Sequence, residues 1–413
     1  MPVSRTRSHP QEPITGPGSA TPRRSRTGAK AGRSGATRGA GKARRPRRKD
    51  PLWARLVVIF GAVLMLFSGG TIVGSEMLIS HVTSGIEQQN LLGGAAKTEA
   101  EGGGSLEGPI DLLLLGVDAR KRWAASDVRS DTIIILHIPA THDQAYLLSL
   151  PRDTEVQVPP FPKSGYRGGT AKAAEAFLHG AQNGGGWAGG AQLLAETIKK
   201  LTGISFDGAA IVNFGGFKKI IDALGGVHMC VDHEVKSIHM KMVDGKPMWN
   251  ADAKKIGAYN APPVVHKKGC RDMASWEALD YSRQRKGLPN GDYGRQQNQQ
   301  KLIKAMAKKA MDKGVLTNPF KVNDLIKAAG EALMIDTGGI PLEEFIFGLR
   351  GIAANDLVIL RTNGGTFNGF KNAAGKDMER LDETSLAMFR AVRDDKLAEF
   401  IINNPSVLAP SKG

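Results

Sequence analysis

Only two cysteines, Cys230 and Cys270, occur in 413 residues. That scarcity excludes a miniature disulfide scaffold and leaves too few soft ligands for a structural metal centre. Aromatic residues are 6% of the chain, so a nucleic-acid surface lacks the side chains that would stack on bases, and no nucleic-acid partner is expected. There is no HExxH pair, no GxSxG elbow and no Walker loop; the nine histidines, His228, His233 and His239 among them, read as ordinary loop or core residues. Acidic residues are almost missing from the first 55 positions. Fifteen Lys or Arg there face only Glu12 and Asp50, so +13 of the formal +16 belongs to that stretch and the rest of the chain is nearly neutral.

Residues 1–52 also have almost no large apolar side chains and cannot bury enough surface to fold, which predicts a disordered basic tail. Two roles fit it: contact with anionic lipid headgroups, or simply the setting of topology. From Leu56 to Ser75 twenty residues carry no charge, enough at ~1.5 Å per residue to span a hydrocarbon layer of about 30 Å. A transmembrane helix is expected over 53–75. A signal peptide is the rival, but the preceding tail is far longer than a usual basic leader. The positive-inside rule then places the tail in the cytoplasm and the remainder outside, giving a single-pass protein of the cell membrane with an extracytoplasmic domain. There the two cysteines either pair, closing a 40-residue loop, or remain buried thiols.

The Gly-rich stretch within 76–108 predicts a stalk, with the folded domain over 109–408. Leu112–Leu115, Thr132–Ile138 and Ala145–Leu150 read as buried strands, 206–214 and 227–235 as further strands, and 217–224 as a helix. Residues 159–190 read as a mobile loop before a helix at 191–201, and 236–270 as a polar excursion. Helices are predicted at 275–282, 293–312, 321–334, 341–351 and 385–402, with a strand at 357–361. This alternation predicts an α/β fold with a mixed central sheet sandwiched between helices.

Charged clusters follow the predicted strand ends: Asp118 after the first, Arg129 and Asp131 at the start of the second, Arg152 and Asp153 after the third. If the second strand runs antiparallel between the other two, all three clusters meet at one sheet edge. A fourth cluster holds Arg283 and Arg285 at a helix end broken by Gly287 and Pro289, then Asp292, Arg295 and Gln299, the last two sharing a helical face. Arginines gathered in one cleft repel by about 4 kcal/mol per pair at ~4 Å and an effective dielectric near ~20. That repulsion predicts a bound anion, for which phosphate suits the guanidinium fork. Asp118 and Asp131 are of the type that holds Mg²⁺ together with substrate phosphate, or else pair with arginine.

The ordered set Leu115-Gly116-Val117-Asp118-Ala119-Arg120, Arg129-Ser130-Asp131-Thr132, Leu150-Pro151-Arg152-Asp153-Thr154, Val212-Asn213-Phe214, Asp222-Ala223-Leu224-Gly225-Gly226-Val227, Tyr281-Ser282-Arg283-Gln284-Arg285 and Asp292-Tyr293-Gly294-Arg295 resembles the LytR-CpsA-Psr family over residues 108–312. The resemblance implies a membrane-attached phosphotransferase that takes a glycopolymer, such as a teichoic acid or an arabinogalactan, from a polyprenyl diphosphate carrier. It attaches the polymer to a cell-wall acceptor, usually peptidoglycan, and has an apolar groove for the lipid tail. It also implies Asp118 and Asp131 as ligands of Mg²⁺ or Mn²⁺ and Arg152, Arg283, Arg285 and Arg295 as a diphosphate clamp. Arg129, Lys172, Asp292 and Gln299 take supporting positions. The chain departs from the family at Ala174, where Asn is usual, and at Asn298, where Arg is common. The Arg-rich tail and the Cys230 and Cys270 pair resemble actinobacterial members. A polyprenyl diphosphate-sugar hydrolase using the same site and a non-catalytic regulator binding envelope lipid are the competing readings.

Overall fold

The computed structural model describes residues 87–118, 127–315, 318–342, 344–345 and 357–410. The predicted tail, the apolar run at 56–75, Arg120 and most of the predicted helix at 341–351 lie outside the described residues. Among the described residues no helix is long and apolar enough to cross a membrane.

In chain order, a short β1 (Glu87–Gln88) precedes β2 (Ile110–Val117), β3 (Ser130–Ile138) and β4 (Ala145–Ser149). The hairpin β5 (Glu155–Val158) and β6 (Gly169–Lys172) leads into helices α1 (Ala173–Ala181) and α2 (Gly186–Thr202). Next come β7 (Gly208–Asn213), α3 (Phe214–Ala223) and β8 (Val227–Val231), followed by β9 (Val235–Val243), β10 (Lys246–Trp249), α4 (Asn250–Lys255), β11 (Pro263–His266) and β12 (Gly269–Met273). Then α5 (Ser275–Arg283), the long α6 (Asp292–Asp312) and α7 (Pro319–Ala329) precede β13 (Leu333–Asp336) and β14 (Leu357–Leu360). The hairpin β15 (Gly369–Lys371) and β16 (Asp377–Glu379) and the helices α8 (Glu383–Arg393) and α9 (Leu397–Asn403) follow.

Seven strands form a mixed sheet in the order β1-β13-β7-β2-β3-β4-β14. β3 runs antiparallel to both β2 and β4, while β2 is parallel to β7 and β4 to β14. Both faces are buried, so alternate residues feed two cores. Leu113, Leu115, Ile133, Ile135 and Leu148 pack with Phe177, Leu194, Ile198 and Phe389. Leu112, Ile134, Ile138 and Leu147 pack on the opposite face, against Ile303 and Ala307 of α6. The expected mixed sheet between helices is present, and β3 between β2 and β4 brings the ends at 118, 130 and 150 to one edge.

Several expectations are corrected. From residue 87 the chain is part of the fold and not a stalk: Leu91, Leu92 and Ala95 are fully buried in the first core. The Leu91 amide donates to Asp336 Oδ2 at 2.8 Å. The supposed loop at 159–190 contains β6 and α1, and its glycines serve helix packing. A Cβ on Gly180 would lie 2.3 Å from the carbonyl oxygen of Gly189 on α2. The excursion at 236–270 is a three-stranded sheet, β10-β9-β11. The helix predicted at 321–334 stops early, and its apolar end is β13. The last helix divides at Asp395, whose φ is 52°.

Cys230 and Cys270 stand directly opposite each other on the antiparallel β8 and β12, and their sulfurs are bonded. The bond closes the excursion at its base.

Candidate functional site

The site begins with a fault in strand pairing. Gly116 pairs with Thr132 and Val117 with Ser130, so Asp131 is the extra residue of a β-bulge. A bulge re-aims a side chain out of the regular alternation. Gly116 is required there because a Cβ would lie 2.8 Å from Cβ of Thr132. The Ser130 hydroxyl donates to the Thr132 carbonyl at 2.9 Å and steadies the bulge.

Arg152 meets Asp131 from the β4 end, its Nη1 donating to Asp131 Oδ1. The loop carrying Arg152 is fixed by the start of α1: the Ala174 and Ala173 amides donate to the Arg152 and Thr154 carbonyls at 3.0 and 2.9 Å. Lys172, the residue before α1, places its Nζ 2.8 Å from Asp153 Oδ1.

Arg283 ends α5, with Nη2 3.3 Å from Asp118 Oδ2. Its guanidinium lies 3.8 Å from the centre of the Phe214 ring and 5.8 Å from that of Trp249, a cation–π arrangement that holds the fork flat. Gln284 adopts an extended conformation and turns inward. Its Nε2 donates to the Asp280 carbonyl and to Asp280 Oδ1, both at 2.9 Å, and its Oε1 accepts from the Ile238 amide at 3.1 Å. This buried pin sits between Arg283 and Arg285, as expected for an unwinding helix end. Arg285 is exposed and shares the wall of an open cavity with Asp153 and Asp292.

The start of α6 supplies the third side. Its N-cap, Gly291, has φ 51°, a conformation that favours glycine. Arg295 is buried, with Nη2 2.9 Å from Asp292 Oδ1 and 3.1 Å from the Asp131 carbonyl. Gln299, one turn on, is also buried. Arg295 Nε, Gln299 Oε1 and Arg152 Nε have no hydrogen-bond partner among the described residues. Buried polar atoms left unpaired are costly, and their convergence is the mark of a place prepared for a ligand. Arg129 is exposed and joins none of these ion pairs; its charge is felt by His179 on α1.

Thus Asp118, Asp131, Arg152, Arg283 and Arg295 come together, Arg285, Lys172, Asp292 and Gln299 border them, and Arg129 stands apart. Asp118, Asp131 and Asp292 each face one of these arginines, so the pairing of aspartate with arginine that the sequence left open is formed. Beside them Phe214, Phe217, Leu302 and Ile303 surround a small cavity of about 20 Å³ that Thr132 and Gln299 also line.

Phe214 and His239 gain roles that the sequence pattern does not reveal. His239 on β9 hydrogen-bonds the backbone of Arg283; burial, then the Arg283 guanidinium, holds its pKa below the usual imidazole value. It therefore stays neutral at neutral pH and adds no further positive charge beside Arg283.

Behind the arginines, His266 Nε2 lies 2.7 Å from Asp280 Oδ2, both side chains fully buried. Burial pulls the His266 pKa down, but the hydrogen bond to Asp280 and the Glu277 carboxylate 4.0 Å from Nδ1 outweigh it and leave it above the ordinary value. A raised pKa stabilises the fold below the unfolded value of about 6.5, and that contribution is lost as pH rises through the folded value. Replacement by His266→Gln is therefore expected to flatten the fall in Tm between neutral and alkaline pH. Parallel curves for the two proteins would show that His266 does not carry the charge.

A mixed α/β sheet covered by helices on both faces, with arginines and carboxylates gathered at one end of its central strands, defines the class of protein. The chain belongs to the LytR_cpsA_psr family, whose model matches residues 76–389. It is 27% identical over 310 residues to the cell wall biosynthesis protein LcpA of Corynebacterium glutamicum, covering 69% of this chain but only 55% of LcpA. The chain thus spans about half the length of that relative, whose source agrees with the expected actinobacterial resemblance. It is also 27% identical to the polyisoprenyl-teichoic acid–peptidoglycan teichoic acid transferase TagU of Oceanobacillus iheyensis, over 79% of this chain and 90% of TagU. The crystal structure of Bacillus subtilis TagV shares the fold, with a TM-score of 0.51 and 21% identity over 71% of this chain and 98% of that one.

Proposed function

We propose that the protein is a membrane-anchored phosphotransferase that moves a glycopolymer from a polyprenyl diphosphate to a cell-wall acceptor hydroxyl, usually on peptidoglycan, as a phosphodiester. The observation that carries this reading is the convergence of Arg152, Arg283 and Arg295 on Asp118 and Asp131, with unpaired polar atoms of Arg152, Arg295 and Gln299 buried beside them. Family membership and the teichoic acid transferase activity for which TagU is named support it.

The acceptor oxygen forms a bond to the phosphorus attached to the sugar. The bond from that phosphorus to the bridging oxygen breaks, polyprenyl monophosphate departs, and the hydroxyl proton goes to a base. Such transfer needs placement and charge stabilisation more than covalent participation by the protein. Arg152 and Arg283 lie on opposite sides of the carboxylate pair and turn from Asp131 and Asp118 to the diphosphate oxygens. Arg295 holds the Asp131 backbone and keeps the bulge in place, and Arg285 meets substrate at the open side.

Two carboxylates at adjacent strand ends, with the remaining positions left to water and phosphate, suit Mg²⁺. Asp118 and Asp131 would hold the ion, which supplies charge neutralisation to the phosphates when bound. The apolar run at 56–75 is the proposed anchor, with the basic tail in the cytoplasm and the site outside, on the surface where the lipid carrier resides.

The test uses the full chain in vesicles with a synthetic polyprenyl diphosphate sugar, with and without Mg²⁺ and peptidoglycan fragments. Mg²⁺-dependent release of polyprenyl monophosphate, with the glycan on the fragments, is expected. Release that ignores the fragments would make the protein a hydrolase, and lipid binding without turnover would make it a regulator.

A further inference from the structure

On the opposite side of α6 from Arg295 and Gln299 lies a second cavity, of about 510 Å³, between that helix and the disulfide-linked β8–β12 ribbon. We propose that this cavity binds a neutral oligosaccharide and is the subsite for the acceptor glycan; the inference rests on the transfer reading above. Its volume suits a ligand of a few sugar rings.

The chemistry of its wall chooses the ligand. Gln296 and Gln297 of α6, together with Asn290, Thr362 and Ser149, present amides and hydroxyls, which both donate and accept. Ser149 Oγ and Arg361 Nε border the cavity, buried and without a hydrogen-bond partner among the described residues. Of the carboxylates, Asp232 borders the cavity but is already paired with Lys301. Val231, Leu288 and Leu360 line the same cavity, as do Lys268 and Arg361, so the wall is amphipathic. Sugar rings match it, with apolar faces toward the aliphatic side chains and hydroxyl and acetamido groups toward the amides and hydroxyls.

Position ties the cavity to the transfer site. Pro289 and Asn290 line it and also line the open cavity bordered by Arg285, Asp153 and Asp292. Gln296 reaches through the helix start, its Nε2 donating to Asp292 Oδ2 at 3.1 Å, the carboxylate that pairs with Arg295. A glycan seated here has a short path across Asn290 to the phosphates, and its contact with Gln296 bears on the residue that orients Arg295.

The test uses the full chain in vesicles and the tetrasaccharide of N-acetylglucosamine as probe. Wild type and Arg152→Ala are expected to bind it equally, whereas Gln297→Trp, which fills the cavity, weakens binding at least about tenfold. With the lipid donor, Gln297→Trp is expected to raise the acceptor KM by a similar factor and to leave the affinity for the donor unchanged. Gln297→Ala, a gentler change on a partly exposed helical position, is expected to move the same two quantities in the same direction by less. Unchanged acceptor KM and probe affinity in both variants, or displacement of the probe by inorganic phosphate, overturns the proposal. If the wild type fails to cleave the donor, the transfer reading falls while probe binding still decides whether the cavity takes a glycan.

Discussion

Arg152→Ala is expected to lower transfer from a polyprenyl diphosphate donor by about a thousandfold, the loss typical when a charge-stabilising group is removed from phosphoryl transfer. The fold should hardly notice. The Arg152 and Asp131 side chains are 26% and 24% exposed, and ion pairs of that kind contribute at most about 1 kcal/mol to stability. The hydrogen bond that docks α1 is donated by the Ala174 amide to the Arg152 backbone carbonyl and survives the substitution. Arg152→Lys should recover only part of the rate, because an ammonium keeps the charge but loses the two-pronged fork. Near-normal turnover in the alanine variant would remove Arg152 from the site's chemistry. A collapse in Tm would instead make its role structural.

The second large effect concerns stability. Replacing both cysteines by serine should cost about 4 kcal/mol in the chain-entropy account, given a separation of 40 residues. At about 2 °C per kcal/mol for a domain this large, Tm should fall by roughly 8 °C. The enclosed segment carries Ser237 and Ile238, which hold Gln284, and Trp249 beside Arg283. Loosening it should therefore reduce turnover as well as Tm. A double-serine protein that melts with the wild type would show that the hydrogen bonds of β8 and β12 suffice to close the excursion.

Much of this arrangement was legible because strand signals and charged residues coincide. Leucine and isoleucine runs at 112–115 and 132–138 gave β2 and β3, and short connections implied the antiparallel order that gathers Asp118, Asp131 and Arg152. The bulge was not legible, since a one-residue slip depends on what the partner strand presents. Gly116 was its single trace. β13 was hidden because its three apolar residues, Leu333, Met334 and Ile335, follow a helix and look like one more turn of it. α1 was hidden because glycines that let two helices approach closely resemble loop punctuation. Leu91 and Leu92 were assigned to a stalk by the glycines around them, although two adjacent leucines found a place in the core. Which aspartate faces which arginine was not legible, because Asp118 and Arg283 are 165 residues apart and Asp131 and Arg152 are 21 apart. The Arg283 contact with Phe214 and the buried Gln284 pin needed three dimensions, because their partners lie 69 and 46 residues away.

The fate of phosphorus tests the central claim most directly. A donor labelled in the phosphate next to the sugar, given to the full chain with Mg²⁺ and peptidoglycan fragments, should place the label in the fragments as a phosphodiester while polyprenyl monophosphate leaves unlabelled. Glycan joined to the fragments without the label, or label released as inorganic phosphate, would contradict phosphotransfer at the Asp118 and Asp131 site.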